Sequence, residues 1–153
     1  MRIESDKVYV YGTPVEGSEA PFEAYRELAY EALTRLELDL PDEGEITLKP
    51  NATVLFPPEK RIITHPGFLA GLIEALVEKG VPPQRMQVAD GNSGEKEGHG
   101  HTWQVAGYRD ALEERSVRLL DLNAVGTRPI AVAGGVVYES YPISTLVTDC
   151  AFL

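Results

Sequence analysis

Residues 46–90 constrain the fold more than any other stretch of the chain. Ile46-Thr47-Leu48-Lys49 reads as a short strand ended by Pro50. Leu69, Leu72, Ile73, Leu76 and Val77 then fall on one helical stripe, which starts near Pro66 and is stopped by Gly80. After Pro82-Pro83, Met86-Gln87-Val88-Ala89-Asp90 reads as a second strand. Strand, helix, strand in this order is a βαβ unit, so the two strands are expected to run parallel with a right-handed crossover.

The flanking sequence extends the same pattern. Lys7-Val8-Tyr9-Val10-Tyr11 predicts a strand closed by Gly12-Thr13-Pro14, and a helix is expected from about Pro21 to Leu38. Asn51 to Thr64 contains Pro57-Pro58 and reads as a loop. A helix from about Thr102 to Arg115 is expected to bend at Gly107, before a strand over Val117–Leu122. Pro129–Val132 and Val136–Glu139 flank Ala133-Gly134-Gly135, a hairpin signal, and Leu146–Leu153 reads as a last apolar strand. The expected fold is α/β: a three-layer, mostly parallel sheet with helices on both faces and a C-terminal β-hairpin, forming a single domain over residues 1–153. A helix would ordinarily cover the last strand and none follows, so the chain reads as the N-terminal portion of a longer protein.

Composition narrows the partners. Net charge is −10, and residues 1–45 carry twelve acids against four bases, which argues against nucleic acid or an anionic membrane surface. No apolar run approaches the ~20 residues that cross a bilayer, and the N-terminus lacks the apolar stretch of a secretory signal, so the cytoplasm is the expected compartment. The single cysteine, Cys150, sits in an apolar run and reads as a buried, inert thiol. Alone it cannot hold an iron–sulfur cluster.

Ligands of open α/β sheets bind beyond the carboxyl ends of the strands. There this chain places Lys49-Pro50-Asn51, Asp90-Gly91-Asn92-Ser93-Gly94 and Asp121-Leu122-Asn123, with Thr64-His65-Pro66 entering a helix from the same side. The loop 91–101 is longer than the usual two to six residues and holds four glycines. One chemistry that suits these residues is anion binding. Gly98 and Gly100 allow close backbone approach at a helix start, Lys49 adds a positive charge, and Asn51, His65, Asn92 and Ser93 supply hydrogen bonds. A second is a divalent metal on Asp90, His99 and His101, although their spacing matches no established metal signature. Neither Gly-x-Gly-x-x-Gly nor Gly-Lys-Ser/Thr occurs, so the nucleotide signal is weak.

Lys49-Pro50-Asn51, Thr64-His65-Pro66, Gly80, Asp90-Gly91 with Ser93-Gly94, Gly107-Tyr108 and Val117 to Asp121 form an ordered series that resembles the family catalogued as domain of unknown function 362. The resemblance covers about residues 45–153. Many members of that family are linked to ferredoxin-type iron–sulfur modules, which implies an iron–sulfur partner protein. No Cys-x-x-Cys occurs here, so the cluster would not lie within this segment. The family's later Pro-Lys-x-Lys-Thr-His-like segment is also absent, in keeping with an N-terminal portion. A looser, fold-level similarity to the N-terminal domain of nickel-pincer lactate racemases implies a proton-transfer role for His99 or His101 and a cofactor contact for Lys49.

The leading expectation is a domain that binds a small anionic ligand or cofactor, with Asp90, His99 and His101 handling protons or a metal. The first alternative is a metal-assisted or acid–base enzyme, either racemase-like or linked to iron–sulfur redox in the full-length protein. The second is a non-catalytic interaction domain that docks through the acidic face carrying Glu27 and Glu31. A homo-oligomer is a further expectation.

Overall fold

The computed structural model describes residues 10–12, 21–52, 56–60, 62–91 and 100–153. Its core is a parallel sheet of β1 (Ile46–Leu48), β2 (Met86–Asp90) and β3 (Arg118–Asp121), in the order β1-β2-β3. Helix α2 (Pro66–Glu78) connects the first two strands, and α3 (Gly100–Val105) with α4 (Tyr108–Leu112) connects the second pair. The βαβ reading therefore holds, with β2 over the expected residues. β2 is buried along its whole length, as a central parallel strand must be when both neighbours and both faces are covered.

Strands added in a single direction through right-handed crossovers carry their helices on one face, and α2 packs on α4. On that face Ile46, Met86 and Val88 form a core with Leu69, Ile73, Leu76, Trp103, Tyr108 and Leu112. By this strand order the crossover helices share one face; on the other, the described residues place the helical turn Thr145–Thr148, whose Leu146 carbonyl meets Thr47. That second face carries a polar ladder across three registered neighbours. Thr47 donates to the Leu146 carbonyl at 3.1 Å, Gln87 donates to Thr47 at 2.8 Å, and Arg118 donates to Gln87 at 3.1 Å and pairs with Glu45. Thr47 and Gln87 are buried, so this chain of bonds satisfies groups that would otherwise be costly to remove from water.

Helix α1 (Phe22–Thr34) lies against α2 rather than against the sheet. Two glycines permit the approach. A Cβ at Gly67 would overlap the Phe22 carbonyl oxygen, and one at Gly71 would overlap that of Arg26. Glu74 of α2 then binds Arg26 at 2.7 Å and Arg115 at 2.6 Å, tying both elements to α2.

Several further expectations are corrected. Helix α1 stops at Thr34, four residues before the expected end, because the Lys79 ammonium binds the Thr34 and Leu36 carbonyls and satisfies the open helix end. The hairpin strands are β4 (Thr127–Ala131) and β5 (Ser140–Ser144), so Val136–Glu139 belongs to the connection. The Gly135 amide closes a tight turn onto Val132, with Gly134 at φ +71°, and pairing resumes only at Val132 with Glu139. The expected last strand is a helical turn, α5 (Thr145–Thr148), followed by a single parallel bridge from Phe152 to Ile46. The bend at Gly107 is as expected, with φ +72° separating α3 from α4. Of the first expected strand, Lys7–Tyr9 lie outside the described residues, and Val10 and Tyr11 are in no strand. Cys150 is half-buried, its thiol donating to the Val147 carbonyl. Among the described residues no helix is long and apolar enough to cross a membrane.

Candidate functional site

The carboxyl ends of β1 and β2 bring Lys49 and Asp90 together. The strands pair in parallel register through Leu48 and Val88, so the next residues of each chain leave the sheet side by side. The Lys49 ammonium lies 2.8 Å from Asp90 Oδ1, and Oδ2 accepts the Ala52 amide at 2.6 Å. Asp90 is 1% exposed, whereas the Lys49 side chain is 46% exposed. One end of the pair is thus anchored in the protein and the other reaches water. Asp90 also fixes the β2–β3 exit, since its carbonyl accepts the Leu122 amide at 3.0 Å.

Asn51 is adjacent, but its groups hold the backbone together. Its amide donates to Thr64 Oγ1 at 3.0 Å, its carbonyl accepts the Thr64 amide at 2.9 Å, and its side chain donates to the Ile62 carbonyl. His65 is the N-cap of α2. Its Nδ1 accepts the Gly67 amide at 3.1 Å, and the ring stacks on Tyr25 with centroids 4.0 Å apart. Burial lowers the His65 pKa, against a smaller upward push from Glu59, which favours the neutral ring that the cap requires. His101 is exposed on α3, and Gly100 is the first residue of that helix. Asn92, Ser93, Gly98 and His99 lie outside the described residues. Among the described residues no group of three His, Cys, Asp or Glu converges as metal ligands do; the set Asp90, His99 and His101 includes one member outside them.

Tyr108, which the sequence offers only within the Gly107-Tyr108 pair of the motif series, carries a structural role. It is fully buried, donates to the Thr64 carbonyl at 2.7 Å, and stacks on Trp103. Burial pushes its hydroxyl far above the ordinary value, and the Asp90 charge adds to the shift. It therefore stays a neutral donor, bracing the Asn51–Thr64 junction beside the buried carboxylate. The available signal was its place directly after the left-handed Gly107. On the far side, Asp121 accepts the Asn123 amide at 2.8 Å, and a Cβ at Gly91 would come within 3.2 Å of Asn123 Oδ1. Gly91 thus lets the β2 exit run close beneath the β3 exit.

Lys-Pro-Asn, Thr-His-Pro, Asp-Gly and Gly-Tyr are accordingly parts of one junction. The family model of the domain of unknown function DUF362 matches residues 46–153, the stretch that contains all of them. The chain belongs to the DUF362 family. No curated protein and no solved structure matches it. Within this DUF362 segment the motifs divide by function in the fold: Asn51, His65 and Tyr108 hold backbone, while Lys49 presents a charged group to solvent on a buried anchor. Both Asp90 oxygens are engaged, so Lys49 and the Ala52 amide hold the carboxylate in place and compete with any proton or metal for its lone pairs.

Proposed function

We propose that this DUF362 segment binds a small anionic ligand, a carboxylate or a phosphate, at the carboxyl edge of the parallel sheet, with Lys49 as its charged contact. The observation that supports this reading is the asymmetry of the Lys49–Asp90 pair: a buried carboxylate holding a half-exposed ammonium at a strand end. An ammonium has three donors. Asp90 takes one at 2.8 Å, and the Pro50 carbonyl lies at 3.3 Å, which leaves one for an outside acceptor. Holding the lysine in place lowers the entropy lost when a ligand binds. In the same reading, Asn92, Ser93, Gly98 and Gly100 contribute contacts from the stretch of chain that follows β2, and His99 or His101 handles a proton. Asp90 cancels much of the lysine charge at a distance, and the chain as a whole is acidic, so affinity comes from short hydrogen bonds more than from long-range attraction.

Calorimetric titration of the full chain with inorganic phosphate and with oxalate tests the proposal. Lys49→Met alone would leave Asp90 buried and uncompensated, so the decisive variant is Lys49→Met/Asp90→Asn, in which the carboxamide oxygen at position 90 can still accept the Ala52 amide. The expected result is saturable binding of at least one probe, weakened about tenfold or more in the double variant. Absence of saturable binding by the wild-type chain, or equal binding by the double variant, would overturn the reading.

A further inference from the structure

A cavity of about 300 Å³ opens between α4 and β3, lined by Trp103, Leu112, Val117 and Leu119 together with Arg109 and Glu113. Its position follows from the topology. Leu119 is in register with Val88 and shares the face that carries α3 and α4, and β3 is the last strand of the parallel sheet. The cavity has no residue in common with the Lys49–Asp90 junction, so the two sites can be tested apart.

Its charged residues set it off from the rest of the surface. The other described arginines each hold a carboxylate or backbone carbonyls. Among the described residues nothing pairs with Arg109, and nothing pairs with Glu113. The two stand four apart, the spacing at which opposite charges on a helix ordinarily meet. Here α4 ends at Leu112 and gives way to the 3-10 turn Glu113–Arg115, in which residues three apart eclipse, not residues four apart. A guanidinium and a carboxylate thus line one small cavity, each without a partner, beside an apolar wall.

We infer that this cavity binds a free α-amino acid with an apolar side chain. Arg109 takes the carboxylate through its forked N–H donors, Glu113 accepts the ammonium, and the ligand's side chain covers Trp103, Leu112, Val117 and Leu119. Charge selects this class. A plain carboxylate would satisfy Arg109 and face the bare Glu113, and a plain amine would do the reverse. A ligand with both signs on neighbouring groups meets both. Size agrees, because ligand pockets begin at about 300 Å³, room for one small molecule and not for a folded partner. Arg109 and Glu113 are exposed, so solvent weakens both charge contacts and the apolar wall supplies much of the affinity.

Calorimetric titration of the full chain with L-leucine and with L-phenylalanine is the test. At least one is expected to bind saturably, with a Kd of about 1 mM or tighter. For that one, the analogue lacking the ammonium and the analogue lacking the carboxylate should each bind about tenfold or more weakly. Arg109→Gln and Glu113→Gln should each weaken the amino acid about tenfold or more, with an unchanged far-UV circular dichroism spectrum. Should either variant lose its fold, the analogue series on the wild-type chain still decides. No saturable binding of either amino acid, or an analogue that binds as tightly, would overturn the inference. So would an Arg109→Gln chain that binds unchanged, the result expected if the carboxylate sat on Lys49 instead.

Discussion

β2 and β4 are both five residues long, yet every residue of β2 is buried and every residue of β4 is exposed. Their compositions do not explain the contrast. Met-Gln-Val-Ala-Asp holds an amide and a carboxylate, and Thr-Arg-Pro-Ile-Ala is no more polar. Topology explains it. β2 lies between two parallel neighbours joined by helical crossovers that cover one face, and a polar ladder fills the other. β4 pairs only with the strand that follows it. The buried strand makes its polar residues costly unless they are bonded, which is why Gln87 and Asp90 each sit in a network. The exposed ribbon sets no such demand on its side chains.

The contrast predicts a graded response to mutation. The largest effect is expected at the end of β2: Asp90→Ala strands the Ala52 amide and releases Lys49, and should cost about 2–4 kcal/mol in urea unfolding. A cost below that of an ordinary surface substitution would remove Asp90 from the core. Next is Gly71→Ala on α2, where the added methyl meets the Arg26 backbone and forces the helices apart, at about 1–3 kcal/mol. An unchanged unfolding midpoint would show that the crossing is loose.

Acid sharpens the comparison further. Burial pushes the Glu74 carboxyl up, but hydrogen bonds from Arg115 and Arg26 outweigh it and hold the group below its ordinary value of 4.5. A carboxylate lowered in the folded state contributes stability that is present above the unfolded value and is lost as pH falls through the folded one. Stability should therefore drop below about pH 4.5, and Glu74→Gln should flatten that part of the profile. His65 acts at higher pH with the same sign. Its folded pKa is lowered, so its contribution is full above the ordinary value of 6.5 and is lost as the ring protonates and Nδ1 can no longer accept the Gly67 amide. His65→Asn keeps a capping acceptor and should remove the loss, about 0.5–1 kcal/mol; proton NMR of the ring would locate the titration. The smallest effect belongs to the ribbon, where Val137→Asp should change the stability of the chain by no more than about 0.5 kcal/mol. A large loss there would mean that the ribbon belongs to the core after all.

The sequence made the βαβ unit legible because its punctuation is local: Pro50, Pro66, Gly80 and Pro82-Pro83 bracket runs of clear period. The Lys49–Asp90 convergence followed from topology once the strands were taken as parallel. The hairpin register was harder to read. Ala133-Gly134-Gly135 marks a turn, but pairing depends on which residues can donate, and the opposed Pro129 and Pro142 settle that only in three dimensions. The end of α1 was illegible for a similar reason, since its cap comes from Lys79, 45 residues beyond Thr34. Asn51 and His65 are expected as ligand contacts because their residue types suit that task; what the residue types did not tell is that their hydrogen-bonding groups also close a loop and cap a helix.

The proposed anion site stands or falls with the Lys49–Asp90 pair, and side-chain ammonium NMR on nitrogen-15-labelled chain tests that pair most directly. The Lys49 signal is expected to be protected from solvent exchange relative to Lys60, to shift when inorganic phosphate is added, and to lose its protection in Asp90→Asn. A Lys49 signal that exchanges like Lys60, ignores phosphate and is unmoved by Asp90→Asn would contradict it.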